Sequence, residues 1–412
     1  MGNSELNNPK SDMKDICILL MSGLPLPAIR GGAIETLCQL FIDQNEINKK
    51  YNITVLCAHD IKAEEESKKY QYAKFVYFES ANKTDIFLNL FSRALYRAFR
   101  IVIPFSSGFR KALKYLKENE FDLVINETWK VYTSPLVSKA VKNGKILFHL
   151  HRVGEKKKGD ISTRIDKSID TLVTVSNYVA DDWIKNTGRS SKNTHVLLNC
   201  CDANSIEKKI DENEILSIKA QYGLGTDDVV LLFYGRITNE KGVIELVEAF
   251  NIMNNDKCVL LIVGGSQNGE KTKYEIQLDS AISNGSARIV RTGYVDNAKM
   301  YQFFNISDLI ILPSTCPDAA PLTVIEAMTA GKPIITTNNG GIPEYTKESA
   351  CRIDCTSTFV QDLAGKMDEL VNDEQLRREL GVKAQNASEK FTPSRYFEDF
   401  SKIIDEVIEE KG

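Results

Sequence analysis

The chain has 412 residues, which is too long for one ordinary core and predicts two or three domains. Its composition, 42% hydrophobic and 26% charged, is typical of a globular protein, and no apolar run approaches the roughly 18 residues of a membrane span. The net charge is −4, but Lys and Arg outnumber Asp and Glu by 30 to 23 up to residue 203 and are outnumbered 22 to 33 afterwards. This asymmetry indicates two domains with different tasks, and the basic excess is too small to favour a nucleic-acid partner.

The N-terminus and the cysteines are typical of a cytoplasmic protein. Residues 1–14 lack the apolar core of a secretory signal, and we interpret them as a disordered leader. The nine cysteines are odd in number and fall mostly within apolar runs, as reduced thiols do. No Cys or His spacing resembles a zinc site.

Short apolar runs alternate with helix-length amphipathic stretches along the chain. Runs without polar alternation are typical of strands in a parallel sheet that helices cover on both faces. The first series of such runs is 16–21, 53–58, 122–126, 145–151 and 171–176. After the polar stretch 202–228 a second series follows at 229–235, 258–265, 287–295, 308–314 and 332–338. The pattern predicts two doubly wound α/β domains, over residues 15–205 and 206–390, and a closing helix over 391–412.

Candidate binding residues follow the first strand of each series, where ligands bind in open parallel sheets. Gly31 and Gly32 open the first helix, and glycines there let backbone N–H groups approach an anion, although a simple tight turn uses the same residues. In the segment GRITNEKG, which begins at Gly235, Arg236 and Lys241 could hold a diphosphate without metal, or could be a solvated loop pair.

A third candidate is the segment CPDAAPLTVIEAM, residues 316–328, which places two acids in an almost wholly apolar run. Pro321 suits the first position of a helix that Gly331 ends. Asp318 then lies on the preceding loop and Glu326 inside the helix, and the free N–H groups of residues 322 and 323 lie between them. Together these groups could bind the phosphates and hydroxyls of a nucleotide sugar, although Glu326 alone could be an ordinary helix residue.

Ordered motifs from Ile16 onwards resemble the family-4 glycosyltransferases. They are GGAIE, HLH, VSNYVADD, NCCD, GRITNEKG, TGYV, the run PSTCPDAAPLTVIEAMTAGKPIITTNNGGIPE and the closing helix. The resemblance implies the GT-B fold: two doubly wound Rossmann-like domains facing across a cleft, with the C-terminal helix crossing back to the first domain. It also implies a retaining, metal-independent hexosyl transfer from a nucleotide sugar, with UDP-sugar favoured and no cofactor.

The resemblance assigns roles to residues in the second half of the chain. Glu326 matches the second acid of an E-x7-E motif, which binds the donor ribose, and Asp318 stands where the first acid contacts the transferred sugar. Arg236 and Lys241 match the diphosphate-binding pair. Tyr294 and Val295 lie where main-chain groups of the family meet the base. Leu322 and Thr323 are the donor-binding residues already predicted at the helix start.

In the first half of the chain the resemblance assigns Gly31 and Gly32 to the glycine loop that faces the diphosphate. His151 matches a histidine that ends a strand and reaches the donor sugar, and His149, two residues earlier, competes for that assignment. Asn199 and Asp202 resemble an N-G-V-D turn, written here as NCCD.

This sequence departs from the family pattern at two positions. Asp318 replaces a glutamate, which shortens the reach of the carboxylate by about 1.5 Å. Pro321 replaces a common glycine, so one N–H donor is lost. The first change could redirect the acid to another sugar hydroxyl or weaken catalysis.

The acceptor is expected to bind the first domain and to be a glycan or a lipid-linked glycan. Residues 87–117 form a basic amphipathic segment, which predicts peripheral contact with the inner face of an anionic membrane, or a core-facing helix pair with solvated charges. Residues 155–168 could border the acceptor path. The alternative functions are a non-catalytic GT-B partner subunit and a nucleotide-sugar epimerase; a dinucleotide dehydrogenase is disfavoured because GxGxxG is missing.

Overall fold

The computed structural model describes residues 13–79, 107–127, 134–153, 161–265 and 270–410. The chain divides into two units, the first containing residues 1–198 and 393–412 and the second containing residues 199–392. Most of the predicted leader, residues 1–12, lies outside the described residues.

The first unit contains a seven-stranded, wholly parallel sheet. Its spatial order is β3-β2-β1-β4-β5-β6-β7, so the chain starts in the middle and winds to both edges. The strands are β1 (Lys14–Leu20), β2 (Tyr51–Ala58), β3 (Ala73–Phe78), β4 (Leu123–Asn126), β5 (Lys145–Leu150), β6 (Thr171–Thr174) and β7 (Thr194–Val196).

Helices of the first unit connect these strands. They are α1 (Ala33–Asn48), α2 (Ile61–Ser67), α3 (Ser107–Glu118), α4 (Ser134–Ser138), α5 (Ile161–Asp166) and α6 (Asn177–Thr187), with the closing helix α16 (Pro393–Glu409) at the end of the chain.

The second unit repeats the design with a six-stranded parallel sheet in the order β10-β9-β8-β11-β12-β13. Its strands are β8 (Val229–Tyr234), β9 (Cys258–Val263), β10 (Ile289–Gly293), β11 (Leu309–Leu312), β12 (Ile334–Thr337) and β13 (Cys351–Ile353). Its helices are α7 (Ala203–Ile206), α8 (Glu212–Gln221), α9 (Val243–Met253), α10 (Lys273–Ser283), α11 (Met300–Ile306), α12 (Leu322–Thr329), α13 (Ile342–Thr346), α14 (Phe359–Asn372) and α15 (Glu374–Ser388).

The central strands are buried on both faces, which is why they read as continuous apolar runs: all six residues of β9 are buried. Each predicted run overlaps a strand of the structure. The apolar runs did not predict β3, β7 and β13. These three strands lie at the edges of their sheets and are only partly buried. Half-exposed edge strands carry mixed residues, so they lack the apolar run on which the prediction depended.

The closing helix α16 belongs to the first unit, as the predicted fold class requires. Its buried face includes Phe397 and Phe400, whose rings lie 5.2 and 5.1 Å from the ring of Phe41 on α1. The Tyr51 hydroxyl of β2 donates a hydrogen bond to Asp405 at 2.7 Å. The three- and four-residue spacing of apolar residues therefore marks a face that packs against α1 and β2.

Replacing Phe397 with alanine should reduce the free energy of unfolding of the first unit by about 3–5 kcal/mol, because a buried aromatic contact with Phe41 is lost. Hydrogen exchange should become faster in peptides from α1 and β2 and stay unchanged in peptides from β8 to β12. Lys402→Ala, at an exposed position of the same helix, is the matched control and should change stability by less than about 0.5 kcal/mol. Faster exchange confined to the second unit would contradict this packing.

Candidate functional site

Glycines bring together the loops that follow three strands of the second unit. Gly235 donates to the Val263 carbonyl at 3.0 Å, and Gly264 donates to the Gly293 carbonyl at 3.0 Å. A Cβ atom on Gly264 would lie 2.0 Å from the Gly235 carbonyl oxygen, which no side chain could tolerate. At the carboxyl ends of β8, β9 and β10 the backbone segments therefore lie in direct contact with one another, with no side chain between them. Tyr294, 48% exposed, and Val295 follow directly after β10.

The loop after β8 is tied to the loop after β11. Thr315 donates its N–H to the Glu240 carbonyl at 3.1 Å and its hydroxyl to the Asn239 carbonyl at 3.0 Å. A Cβ atom on Gly242 would lie 2.1 Å from the Pro313 carbonyl oxygen, so this approach requires glycine. The result is that two loops about 75 residues apart in sequence share one surface.

On this surface the structure places two predicted site residues in direct contact. The Lys241 ammonium lies 2.5 Å from the Asp318 carboxylate, and each side chain is about 20% exposed. Arg236 is exposed. Because Lys241 already has a counter-charge, an anion that binds it must compete with Asp318 or join the pair. The sequence analysis assigned Lys241 and Asp318 to different parts of a ligand and did not anticipate this ion pair.

The backbone of Asp318 is held by a segment that the sequence analysis quoted without giving it a role. Gly341 donates its N–H to the Asp318 carbonyl at 2.8 Å, and Gly340 forms an isolated parallel bridge with Asp318. Gly340 has a φ of 68°, and a Cβ atom there would lie 2.2 Å from the Asp318 carbonyl oxygen. The pair of glycines in TTNNGG therefore fixes the acid loop against the end of β12.

Helix α12 begins at Leu322, and Pro321 is its N-cap residue, one position earlier than predicted. No side chain caps this end, so the N–H groups of Leu322 and Thr323 lie in a first turn that lacks intrahelical acceptors. The Tyr234 hydroxyl donates to the Thr323 carbonyl at 2.5 Å and so anchors the turn to the end of β8. Tyr234 is a residue that the sequence analysis missed, because it reads as one more apolar residue of the strand.

Glu326 lies inside α12, and its environment changes its chemistry. Burial raises the pKa of the Glu326 carboxyl to about 7, and the neighbouring Tyr234 hydroxyl opposes only part of that rise. A carboxyl in this state gains or loses its proton near neutral pH. Asn199 lies at the start of the same unit and donates its side-chain amide to the Ala320 carbonyl at 3.2 Å, beside the acid loop.

In the first unit, Gly31 and Gly32 have φ values of 68° and 105° and directly precede α1. A Cβ atom on Gly32 would lie 2.2 Å from the buried carboxylate of Glu35, which also accepts a hydrogen bond from Ser22 at 2.5 Å. The sequence analysis gave Glu35 no role. Its negative charge lies in the first turn of α1, where it interacts favourably with the helix dipole and competes with any external anion.

His149 and His151 share one buried carboxylate, that of Glu127 after β4. The Glu127 oxygens lie 3.0 Å from His149 Nδ1 and 2.6 Å from His151 Nε2, and the two imidazole rings are 4.0 Å apart. Burial raises the pKa of the Glu127 carboxyl, but its interactions with His149 and His151, hydrogen bonds among them, lower it by more. Burial and His149 lower the pKa of His151 more than Glu127 raises it.

The sequence analysis treated the two histidines as competitors and missed Glu127, although an acid directly after an apolar run is a detectable signal. Among the residues that the structure describes, these three side chains also form a group that could hold a metal ion, with ligand atoms within 4.8 Å of one another. The expectation that no metal is needed stays a prediction.

The basic segment 87–117 is described only from Ser107, where α3 begins. Phe109, Ala112 and Leu116 of α3 are buried in the core, and Arg110 and Lys111 are exposed. The apolar face of α3 is therefore used by the fold. Residues 87–106 and the first part of 155–168 lie outside the described residues. None of the helices in the described part of the chain is long and apolar enough to cross a bilayer.

Part of the chain is similar to known glycosyltransferases. Residues 214–387 match the family model described as glycosyl transferases group 1. The lipopolysaccharide 1,2-N-acetylglucosaminetransferase of Salmonella typhimurium is 26% identical over 238 residues, which cover 56% of this chain and 58% of that protein. In these segments the chain is therefore similar to glycosyltransferases, and it spans little more than half the length of the Salmonella protein.

Solved structures confirm the predicted GT-B fold. A glycosyltransferase from Rickettsia africae has a TM-score of 0.75 at 19% identity and covers 97% of this chain and all of that one. The Anabaena protein HepE, solved in complex with UDP and glucose, has a TM-score of 0.73 at 19% identity and covers 95% of this chain and all of that one.

Replacing Glu326 with glutamine should raise the free energy of unfolding, and more at pH 8 than at pH 5. The folded carboxyl has a pKa of about 7 and the unfolded one about 4.3, so the folded state binds the extra proton and loses stability as pH rises between these values. Glutamine cannot ionise, so the variant does not lose this stability, which amounts to about 3–4 kcal/mol in the unmodified protein once the carboxyl is fully ionised. Urea unfolding at both pH values measures it, with Glu248→Gln at an exposed position of α9 as control. An equal effect of Glu326→Gln at both pH values would contradict a raised pKa.

Proposed function

We propose that this protein is a family-4, retaining glycosyltransferase that moves a sugar from a nucleoside-diphosphate donor, with a UDP-sugar favoured, to a hydroxyl acceptor. The observation that carries the proposal is the group Arg236, Lys241, Asp318 and Glu326. Arg236 and Lys241 follow β8, Asp318 lies in the loop after β11, and Glu326 lies in α12, which follows that loop. All four fall in the segment that matches glycosyl transferases group 1. Two cations and two acids suit a ligand that combines a diphosphate with several hydroxyls.

The donor would bind the second unit through groups of different chemistry. Glu326 would accept hydrogen bonds from the ribose hydroxyls, and the N–H groups of Leu322 and Thr323 would bind phosphate at the uncapped start of α12. Backbone groups of Tyr294 and Val295 would contact the base. The UDP complex of HepE, which has the same fold, makes a uridine nucleotide the first donor to test.

Transfer would depend on stabilising the leaving diphosphate. The acceptor oxygen bonds to the anomeric carbon as the bond to the phosphate oxygen breaks, and the hydroxyl proton passes to that departing oxygen on the same face of the sugar. Negative charge then grows on the diphosphate, where Arg236 and Lys241 would stabilise it without a metal ion. Asp318 would hold a hydroxyl of the transferred sugar, and its contact with Lys241 would orient both groups before the donor arrives.

The acceptor would bind the first unit and would be a glycan or a lipid-linked glycan. The Salmonella relative is named for a lipopolysaccharide reaction, which supports an acceptor of the cell envelope. We infer a cytoplasmic protein with peripheral contact at the inner membrane face. The exposed cations Arg110 and Lys111 of α3 could contribute electrostatic attraction to anionic lipids, on the order of 1 kcal/mol for each charge near the surface.

The purified chain should release nucleoside diphosphate slowly from a UDP-sugar, and excess EDTA should leave the rate unchanged. Arg236→Ala should lower turnover about 10²–10³-fold, the effect typical of one lost transition-state donor. Arg288→Ala removes a guanidinium that pairs with Asp228 elsewhere in the second unit, and this control should keep turnover within about twofold. Activity that EDTA abolishes and manganese restores would contradict the proposal. Donor binding in thermal-shift experiments without release from any nucleotide sugar would favour the partner subunit.

Asp318→Ala should lower kcat much more than it weakens binding of the nucleoside diphosphate. The variant loses the contact with the sugar, but it also frees the Lys241 ammonium for phosphate, so the Kd for UDP should stay unchanged or fall. Steady-state kinetics and UDP titration measure the two effects separately. Asp362→Ala, at an exposed position of α14, is the control. Turnover of Asp318→Ala within about twofold of the unmodified protein would show that the motif assignment at this position is wrong.

A further inference from the structure

The contacts of Glu127 determine which nitrogen of each histidine carries the proton. Its interactions with the two histidines lower the pKa of the Glu127 carboxyl, and an ionised carboxylate can only accept hydrogen bonds. The ring nitrogen that faces it must therefore donate. His149 then carries its proton on Nδ1, at 3.0 Å from Glu127 Oε1, and His151 carries its proton on Nε2, at 2.6 Å from Oε2.

The two histidines differ in what they can still contact. The His149 side chain is fully buried, its ring lies 5.5 Å from that of Phe400 on α16, and its Nε2 has no hydrogen-bond partner among the described residues. The His151 side chain is 11% exposed and follows the end of β5. A ligand could reach His151 but not His149, and this difference favours His151 as the residue that contacts a ligand.

We propose that Glu127 is a positioning residue that holds His151 as the Nε2–H tautomer, so that its ring presents Nδ1 to the substrate as a hydrogen-bond acceptor. His149 is the second anchor, because its hydrogen bond to the other carboxylate oxygen prevents Glu127 from rotating away. The proposal deepens the proposed function, since it rests on His151 binding the substrate. A neutral imidazole with a free Nδ1 would accept a hydrogen bond from a sugar hydroxyl, and it would not supply positive charge to the diphosphate.

The groups around His151 are consistent with a neutral ring. The charged and titratable groups that face it are Glu127 after β4, His149 on β5 and Glu35 on α1. Burial and His149 lower the pKa of His151 by more than the two acids raise it, so the net shift is downward. A lowered pKa favours the neutral ring that a hydrogen-bond acceptor requires.

Nuclear magnetic resonance of the imidazole nitrogens tests the proposal directly in the unmodified full chain. The chain has only four histidines, so the two signals can be assigned with His149→Gln and His151→Gln variants. We expect His151 as the Nε2–H tautomer with an unprotonated Nδ1, and His149 protonated on Nδ1. A His151 ring that is protonated on Nδ1, or that averages between tautomers, would overturn the proposal.

Glu127→Gln is the matching variant, because its amide has the same shape but accepts on one side and donates on the other. One of the two histidines must then turn a lone pair toward residue 127 and change tautomer, and the pKa of His151 should fall. Glu64→Gln is the control, since Glu64 lies 3.1 Å from His59 in an exposed pair. Unchanged tautomers in Glu127→Gln, or a stoichiometric metal ion in the purified protein that this variant loses, would contradict the assigned role.

The kinetic readout separates this proposal from the proposed function. Glu127→Gln should lower kcat about tenfold or more, the range for a hydrogen bond to a charged group, while the Kd for UDP stays within about twofold. Turnover equal to that of the unmodified enzyme would overturn the positioning role. If the unmodified chain shows no transfer with any nucleotide sugar, the proposed function fails, and the tautomers measured by magnetic resonance still decide what Glu127 does.

Discussion

Helices cover both faces of the parallel sheets, so a polar side chain within a strand must be desolvated. Polar side chains avoid this cost only where the strands end, and this constraint places the candidate sites. The six residues of β9 are all buried, and polar chemistry begins in the loops beyond the carboxyl ends of β8, β9 and β11. His149 departs from this pattern, because it is a buried polar residue inside β5. Glu127 supplies a hydrogen bond at Nδ1, which offsets part of the desolvation cost of the buried ring.

Both units supply partners within the protein for the charged side chains of the candidate sites. In the second unit Asp318 compensates Lys241, and in the first unit one carboxylate binds two imidazoles. Each arrangement holds side chains in place before a ligand binds, which reduces the reorganisation that binding requires. The same compensation means that a charged ligand must compete with a partner within the protein. Arg236 is exposed and is therefore the cation most directly open to a diphosphate.

Glycine has a consistent function in the second unit, because it permits backbone segments to approach more closely than any side chain allows. Gly242 lies against the Pro313 carbonyl, Gly264 against the Gly235 carbonyl, and Gly340 against Asp318. Each contact joins loops from different strands, so the position of the acid and the cation depends on residues that carry no chemistry themselves. Substitution at these glycines would disturb the site without touching a functional group.

The sequence by itself determined the strand series, the existence of two α/β units and the amphipathic closing helix, because burial on both faces or on one face leaves a periodic pattern in the chain. Motif order also placed Lys241, Asp318 and His151 on the loops that follow strands. Only the tertiary structure decided that Lys241 pairs with Asp318 and that Glu127 joins His149 to His151. These partners lie 77, 22 and 24 residues apart, and the hydrogen bonds between them depend on strand order and on loop contacts rather than on local spacing.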